Sequence, residues 1–159
     1  MRFLPVLIAF GLATQSPATT PKKIDSKYLT VETSAGRVTG GRVPLYLDIT
    51  PKPKMHVYAP DKTQTYIPVT LSIDAHEGLK ALVPTFPPPE KYFFEPLTET
   101  QLVYSKPFRV VQEVTVPRAG GTVTLTGTLR YQACDDKVCY MPQTVPVSWI
   151  VAAPAPRVP

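Results

Sequence analysis

Two cysteines, Cys134 and Cys139, are the residues of this chain best suited to chemistry, because they are its only cysteines and stand close together. Their segment runs Tyr131-Gln-Ala-Cys-Asp-Asp-Lys-Val-Cys-Tyr140. A cysteine pair with this spacing either closes a turn as a structural disulfide or carries out thiol–disulfide exchange. Deciding between these two roles decides most of the function.

The geometry expected for the pair favours exchange somewhat over a purely structural role. If Thr122 to Ala133 and Tyr140 to Val151 are consecutive antiparallel strands, the cysteines face each other across a short loop, within reach of a disulfide. Closing about six residues removes chain entropy worth only roughly 2 kcal/mol, and a hairpin already held by strand pairing gains less. By alternation, Cys134 lies on the Thr122 to Arg130 face, away from the core, so we expect it to be accessible.

The start of the chain predicts export. Arg2 precedes an apolar run from Phe3 to Leu12, and small residues follow at Ala13 and Ala18. This is the pattern of a secretory signal peptide, and the run is shorter than the roughly 20 apolar residues that a spanning helix needs. We therefore expect residues 1–18 to be removed and the mature protein to be soluble and exported, where disulfides persist.

Charge and histidine placement disfavour two other classes of function. The formal net charge is +5, but the Lys and Arg residues are scattered, whereas a nucleic-acid interface needs them clustered. A hydrolytic nucleophile needs an adjacent histidine base, whereas His76 lies in a polar turn, Asp74-Ala-His-Glu-Gly78. Hydrolytic catalysis is therefore disfavoured.

Proline content and alternation predict an all-β fold. Twenty prolines in 159 residues oppose long helices. Alternating apolar residues predict half-buried strands at 43–49, 67–73, 122–131 and 145–151, and further strands are expected at 28–33, 54–59, 79–83 and 102–116. Separated by turn residues, they predict two antiparallel sheets packed face to face. Pro44, Pro68 and Pro146 fall inside these runs and indicate irregular edges.

The chain is long enough for one domain beyond the signal peptide. We predict a signal peptide over residues 1–18, a flexible segment over 19–27, a β-sandwich over 28–152 and a flexible tail over 153–159. The connection from Thr85 to Pro96 is unusual, since it carries three consecutive aromatic residues, Tyr92, Phe93 and Phe94, among prolines. Loops rarely expose so much apolar surface without a use.

The cysteine segment resembles a known family. The pattern Tyr131-Gln-x-Cys-x4-Cys-Tyr-x-Pro142, between a Thr-rich strand and a Val-Pro-Val strand, looks like the N-terminal periplasmic domain of the thiol:disulfide interchange protein DsbD. Lys54-Met-His-Val-Tyr58 resembles that domain's aromatic-rich strand, and Tyr92-Phe-Phe94 followed by Leu102-Val-Tyr104 resembles its cap region. The resemblance covers residues 28 to 152, nearly all of the mature chain.

This resemblance implies an immunoglobulin-like two-sheet antiparallel β-sandwich in the periplasm, with an exchange site on a hairpin. Cys139 matches the cysteine that forms the mixed disulfide with partners, and Cys134 matches its resolving mate. Thiolate attack on a disulfide sulfur needs only these two sulfurs, so no cofactor and no metal are expected.

The resemblance also implies surrounding residues. Phe93 or Phe94 corresponds to the cap aromatic that shields the pair until a partner displaces it. His56 and Tyr58 match positions beside the cysteines. His56 departs from the tyrosine of the best-known members, which leaves open a role in tuning the thiol beside that of an ordinary buried histidine.

The implied partners are a thioredoxin-like electron donor domain and periplasmic thiol–disulfide proteins, such as disulfide isomerases or cytochrome c maturation proteins. Full-length members continue into a membrane domain and a C-terminal thioredoxin-like domain, whereas this sequence ends at Pro159. We therefore expect the electron donor to be a separate polypeptide.

Three functions follow from these residues. The leading one is a periplasmic redox relay of the protein-disulfide reductase type, which passes electrons from the donor to exported acceptors through Cys134 and Cys139. The second is a partner-binding sandwich with a passive disulfide. The third is a soft-metal module that binds Cu(I) through Cys134, Cys139, His56 and Met141, with Met55 as an outer contributor.

Overall fold

The computed structural model describes residues 21–61 and 66–156. The predicted signal peptide lies outside these ranges. No helix within them has the length and apolar character needed to cross a membrane.

Strands make up almost all of the regular structure in the described ranges, with one short 3-10 helix at Glu95–Leu97. The twelve strands there are β1 (Lys22–Asp25), β2 (Leu29–Ala35), β3 (Arg42–Pro51), β4 (His56–Tyr58), β5 (Thr70–Ile73), β6 (Lys80–Ala81), β7 (Glu90–Phe94), β8 (Glu99–Tyr104), β9 (Phe108–Thr115), β10 (Thr122–Tyr131), β11 (Ala133–Cys134) and β12 (Gln143–Ala152).

The strands pair antiparallel in three sheets, with the orders β1-β2-β3-β9-β6, β12-β10-β5 and β11-β4-β8-β7. The all-β antiparallel sandwich is therefore confirmed, with one sheet more than the two predicted. The predicted strand at 102–116 is in fact two strands, β8 and β9, which belong to different sheets. The break between them contains Pro107, which has no backbone N–H to donate to a ladder. The resulting four-stranded sheet carries the cysteines and their surroundings.

The main core lies between the five-stranded and three-stranded sheets and is built from the alternating residues seen in the sequence. On β3 the residues that point inward are Val43, Leu45, Leu47 and Ile49, and on β12 they are Val145, Val147, Trp149 and Val151. Trp149 also donates a hydrogen bond from Nε1 to the Tyr46 carbonyl oxygen at 3.1 Å, which ties β12 to β3 in the opposite sheet.

The prolines occupy positions where a missing N–H is tolerated. Pro146 lies on β12, an edge strand, and Pro68 precedes β5. Pro44 lies in the central strand β3, but beyond Ala35, the last residue of the neighbouring β2. Gly36, the next residue, still donates its N–H to the Pro44 carbonyl oxygen at 2.8 Å, so the proline forfeits only the return bond at the end of this ladder.

Part of the segment predicted to be flexible, 19–27, forms a strand. Its residues Lys22–Asp25 form β1, which pairs with the outer edge of β2, whose backbone groups would otherwise lack ladder partners. Ser26 follows, and its Oγ lies 2.6 Å from the Tyr131 hydroxyl oxygen. At the other end, Ala153 donates from its backbone N to the Gly121 carbonyl oxygen at 2.9 Å. The sandwich thus extends to Lys22.

Candidate functional site

The two cysteines form a disulfide at the base of a hairpin between β10 and β12, with 4.0 Å between their Cα atoms. The ladder of β10 and β12 ends at the pair Tyr131 and Gln143. Between that pair and the cysteine bridge, the second strand has one more residue than the first, so the register shifts at Met141 and Pro142. Beyond this shift the first strand leaves its sheet, and β11 pairs with β4 instead.

Asp135 organises the tip of the hairpin. Its Oδ1 accepts hydrogen bonds from the backbone N of Lys137 and of Val138, both at 2.8 Å, and its Oδ2 accepts one from the Tyr140 hydroxyl at 2.7 Å. The Tyr140 ring stacks on Tyr28, with 4.6 Å between centroids. These donors, led by the Tyr140 hydroxyl, lower the pKa of Asp135 to about 2.

We expect Asp135→Ala to unfold at a lower temperature than the wild type, by an amount that depends on pH. The folded pKa of about 2 lies below the ordinary pKa of 3.8 for an aspartate, so the stability that Asp135 contributes is complete above about pH 4 and is lost as the pH falls through about 2. Thermal unfolding between pH 2 and pH 7 measures it. The control is Asp136→Ala, in the same loop; a difference between Asp135→Ala and wild type that stays constant down to pH 2 would contradict the explanation.

The two cysteines differ in burial. Cys134 has 0% of its surface exposed, whereas Cys139 is exposed. The prediction that Cys134 is accessible is therefore wrong. Cys134 lies outside the main core, but a second apolar cluster covers it, made of Tyr58 and Val103 with Tyr66 and Tyr92 packed against them. Alternation predicts the face on which a side chain lies but not what covers that face.

Tyr58 contacts both sulfurs. Its hydroxyl oxygen lies 3.3 Å from Cys134 Sγ and 3.2 Å from Cys139 Sγ, and its ring stacks on Tyr66 with 4.4 Å between centroids. Burial raises the pKa of Tyr58 to about 12, with a further contribution from the Glu99 carboxylate. The hydroxyl is therefore protonated at neutral pH, and it is the donor because disulfide sulfurs carry no hydrogen.

His56 lies directly opposite Cys134 in the pairing of β4 with β11. It is 3% exposed, and its ring lies against Tyr92 with 4.5 Å between centroids. Burial lowers the pKa of His56, while the Asp135 carboxylate acts in the opposite direction. The Nε2 of His56 has no hydrogen-bond partner in the described structure.

A polar group behind Tyr58 was not among the predicted site residues. The Glu99 carboxylate accepts hydrogen bonds from the Tyr66 hydroxyl and from Gln101 Nε2, the latter at 2.8 Å. Gln101 is buried and pairs across the ladder with Tyr92. The alternation of β8 indicates that Glu99, Gln101 and Val103 share a face, but not that this face meets the cysteines.

The consecutive aromatics of β7 divide between two faces. Phe93 is 56% exposed and points away from the cysteines, while Tyr92 packs against the cluster around Cys134. Phe94 is buried but outside that cluster. The role of Phe93 or Phe94 as the cap stays a prediction, and the β7 ring that the structure places beside Cys134 is Tyr92.

The residues suggested for Cu(I) do not form a ready ligand set. In the described ranges no group of three or more His, Cys, Asp or Glu side chains is arranged to hold a metal ion. Cys134 and Cys139 are bonded to each other, and Met141 is among the most exposed apolar residues. The arrangement instead offers a disulfide between an exposed cysteine, Cys139, and a buried one, Cys134.

Comparisons with known proteins identify the family and the fold of this chain. The family model described as "Thiol:disulfide interchange protein DsbD, N-terminal" matches residues 25–148. The N-terminal periplasmic domain of ScsB from Proteus mirabilis is similar in structure, with a TM-score of 0.58 and 16% sequence identity. The match covers 84% of this chain but only 52%, about half, of the ScsB chain. The GAE domain of GGA2p from Saccharomyces cerevisiae has a TM-score of 0.50 at 7% identity, covering 81% of this chain and 96% of its own.

The N-terminal domain of DsbD from Neisseria meningitidis, in the reduced form, is 20% identical, with a TM-score of 0.47, covering 81% of this chain and 88% of its own. At these identities the likenesses to ScsB and GGA2p concern the fold alone. No curated protein matches the sequence. The match of the family model, over most of the chain, confirms the resemblance read from the cysteine segment.

Proposed function

Since this chain belongs to the family of the N-terminal domain of the thiol:disulfide interchange protein DsbD, we propose that it relays electrons by thiol–disulfide exchange at Cys134 and Cys139. The observation that supports this most is the unequal burial of the two sulfur-bearing residues. An incoming thiolate can reach only one of them, so the pair has a defined point of attack.

The exchange proceeds in two balanced steps. A donor thiolate attacks Cys139 Sγ, the Cys134–Cys139 bond breaks, and Cys134 leaves as a thiolate beside the Tyr58 hydroxyl. The second thiol of the donor then attacks the other donor sulfur, the one bonded to Cys139 in the mixed disulfide, and Cys139 is released as a thiolate. The donor is oxidised to a disulfide, and this domain gains two electrons and, in the dithiol form, two protons.

Transfer to an acceptor reverses these roles. The Cys139 thiolate attacks the disulfide of the acceptor, and Cys134 then attacks Cys139 Sγ to restore the original bond. Cys139 is the sulfur available to both partners because Cys134 is enclosed by the tyrosine cluster. The exposed apolar residues Val138 and Met141 flank Cys139 and offer contact surface to a partner.

The partners that fit this chemistry are a thioredoxin-like donor and exported thiol–disulfide acceptors of the isomerase or cytochrome c maturation type. The proposed compartment is the periplasm. It is supported by the family of the domain, by the ScsB relative, which is described as periplasmic, and by the predicted signal peptide. The protein is then a relay of the protein-disulfide reductase type that takes its electrons from a thioredoxin-like donor.

The reduction potential of the Cys134–Cys139 couple tests the proposal against a passive structural disulfide. We expect a value well above about −300 mV, because structural disulfides of secreted proteins lie below it. Equilibration with glutathione buffers, read by mass spectrometry after thiol alkylation, measures the potential. A value below that level, together with no oxidation of a reduced thioredoxin-like protein mixed with the domain, would leave only the passive role.

A further inference from the structure

His56 is a buried group beside the disulfide that the exchange steps above do not use. It is 3% exposed and lies directly opposite Cys134 in the β4–β11 pairing. Facing side chains of antiparallel strands have Cβ atoms about 4.5–5.5 Å apart, a spacing that an imidazole nitrogen and a cysteine sulfur can bridge. His56 therefore belongs to the immediate surroundings of the sulfur that leaves during exchange.

The Nε2 of His56 lacks a hydrogen-bond partner in the described structure. Buried polar atoms are normally paired, because an unpaired one has lost its hydration without compensation. In the oxidised protein the sulfur opposite His56 carries no hydrogen. Reduction turns that sulfur into a thiol, which is a donor. Reduction therefore supplies a hydrogen-bond donor on the residue that faces His56, which the oxidised pair does not have.

The surroundings of His56 suit a proton acceptor. Burial lowers its pKa, so the imidazole is neutral near pH 7 and holds a free lone pair. The Asp135 carboxylate opposes this shift and so stabilises the imidazolium once it forms. The other titratable groups of this cluster are Cys134, Tyr58, Tyr66, Tyr92 and Glu99.

We propose that His56 accepts the proton of the Cys134 thiol when Cys134 attacks the mixed disulfide at Cys139. The inference rests on the proposed function. The S–H bond of Cys134 breaks as the Cys134–Cys139 bond forms, the proton moves to the imidazole nitrogen, and the sulfur of the partner leaves as a thiolate. Both cysteines are oxidised and the partner receives the two electrons. The sequence of this chain thereby places a base next to the enclosed sulfur.

Stopped-flow reaction of the reduced protein with 5,5′-dithiobis(2-nitrobenzoate) separates the two steps. Attack by Cys139 releases the first thionitrobenzoate, and attack by Cys134 on the resulting mixed disulfide releases the second. His56→Phe keeps an aromatic ring against Tyr92 but removes the base. We expect it to slow the second phase at pH 7 on the order of tenfold, to move its rise to higher pH, and to leave the first phase unchanged.

Two further variants keep the test decisive. His56→Gln retains a polar side chain without basicity and is expected to act like His56→Phe, which separates loss of the base from a packing defect. His76→Gln alters the other histidine, in an exposed turn, and should change neither phase. If both His56 variants keep the rate and pH dependence of the wild-type second phase, His56 is not the base, while the proposed function still stands. A wild type that shows no release at all would refute the proposed function and this inference with it.

Discussion

Cys139→Ser is expected to reduce exchange to background, a loss of at least about a thousandfold, whereas Cys134→Ser is expected to hold a stable mixed disulfide. The difference follows from burial: Cys139 is the exposed residue, and Cys134 is covered by Tyr58, Val103, Tyr66 and Tyr92. Without Cys139 an incoming disulfide meets no accessible thiol. Without Cys134 the adduct at Cys139 has nothing inside the domain to displace it.

Intact-mass spectrometry after treatment with glutathione disulfide distinguishes these outcomes. The reduced wild type should return to its internal disulfide without an adduct, Cys134→Ser should retain one glutathione, and Cys139→Ser should retain none. Urea unfolding of each variant checks that the sandwich is intact. An adduct on Cys139→Ser with none on Cys134→Ser would reverse the two roles.

Trp149→Ala is expected to destabilise the fold by about 3–5 kcal/mol, the range for removing a large buried aromatic side chain. Trp149 is 2% exposed in the main core, and its Nε1 bonds the Tyr46 carbonyl oxygen in the facing sheet. The substitution leaves a cavity and removes the hydrogen bond from Nε1 at the contact between the two sheets. For a domain of this size, the unfolding midpoint should fall by more than about 10 °C.

Far-UV circular dichroism is the appropriate probe for this variant, because Trp149 is the only tryptophan of the chain and its fluorescence is lost with it. The matched control is Ile150→Ala, the next residue of β12, whose side chain is 53% exposed on the outer face. We expect that variant to lose less than about 1 kcal/mol. Equal losses at both positions would mean that β12 does not pack as described.

The strand pattern shows how far the sequence alone predicts the fold. Alternation correctly assigns the inward residues of β3 and β12, because a side-chain period of two is a local property of an extended backbone. It does not assign β1, whose residues Lys22–Asp25 are mostly exposed and carry no such pattern. That strand forms because β2 offers it an edge, which is a tertiary condition.

The residues of the site likewise fall into those that the sequence predicted and those that only the structure identified. Tyr58 and His56 were placed beside the cysteines by family resemblance, and the structure brings both to Cys134. Tyr66, Gln101 and Glu99 were not foreseen, because they come from segments distant in sequence that meet only when β4 pairs with β8. Tyr92 was noticed only as part of an aromatic loop. Its neighbour Phe93 shows why composition is insufficient, since the two rings point to opposite faces of one strand.

The sequence by itself determined the family, the all-β architecture and the hairpin that brings the two cysteines together, because these depend on local spacing and a specific motif. Only the tertiary structure decided which sulfur is enclosed. Beyond the register shift at Met141 and Pro142, β11 pairs with β4, and the sheet that these strands form with β7 and β8 covers the outward face of Cys134 with tyrosines. Burial depends on which distant surfaces meet, and a pattern within one strand carries no information about that.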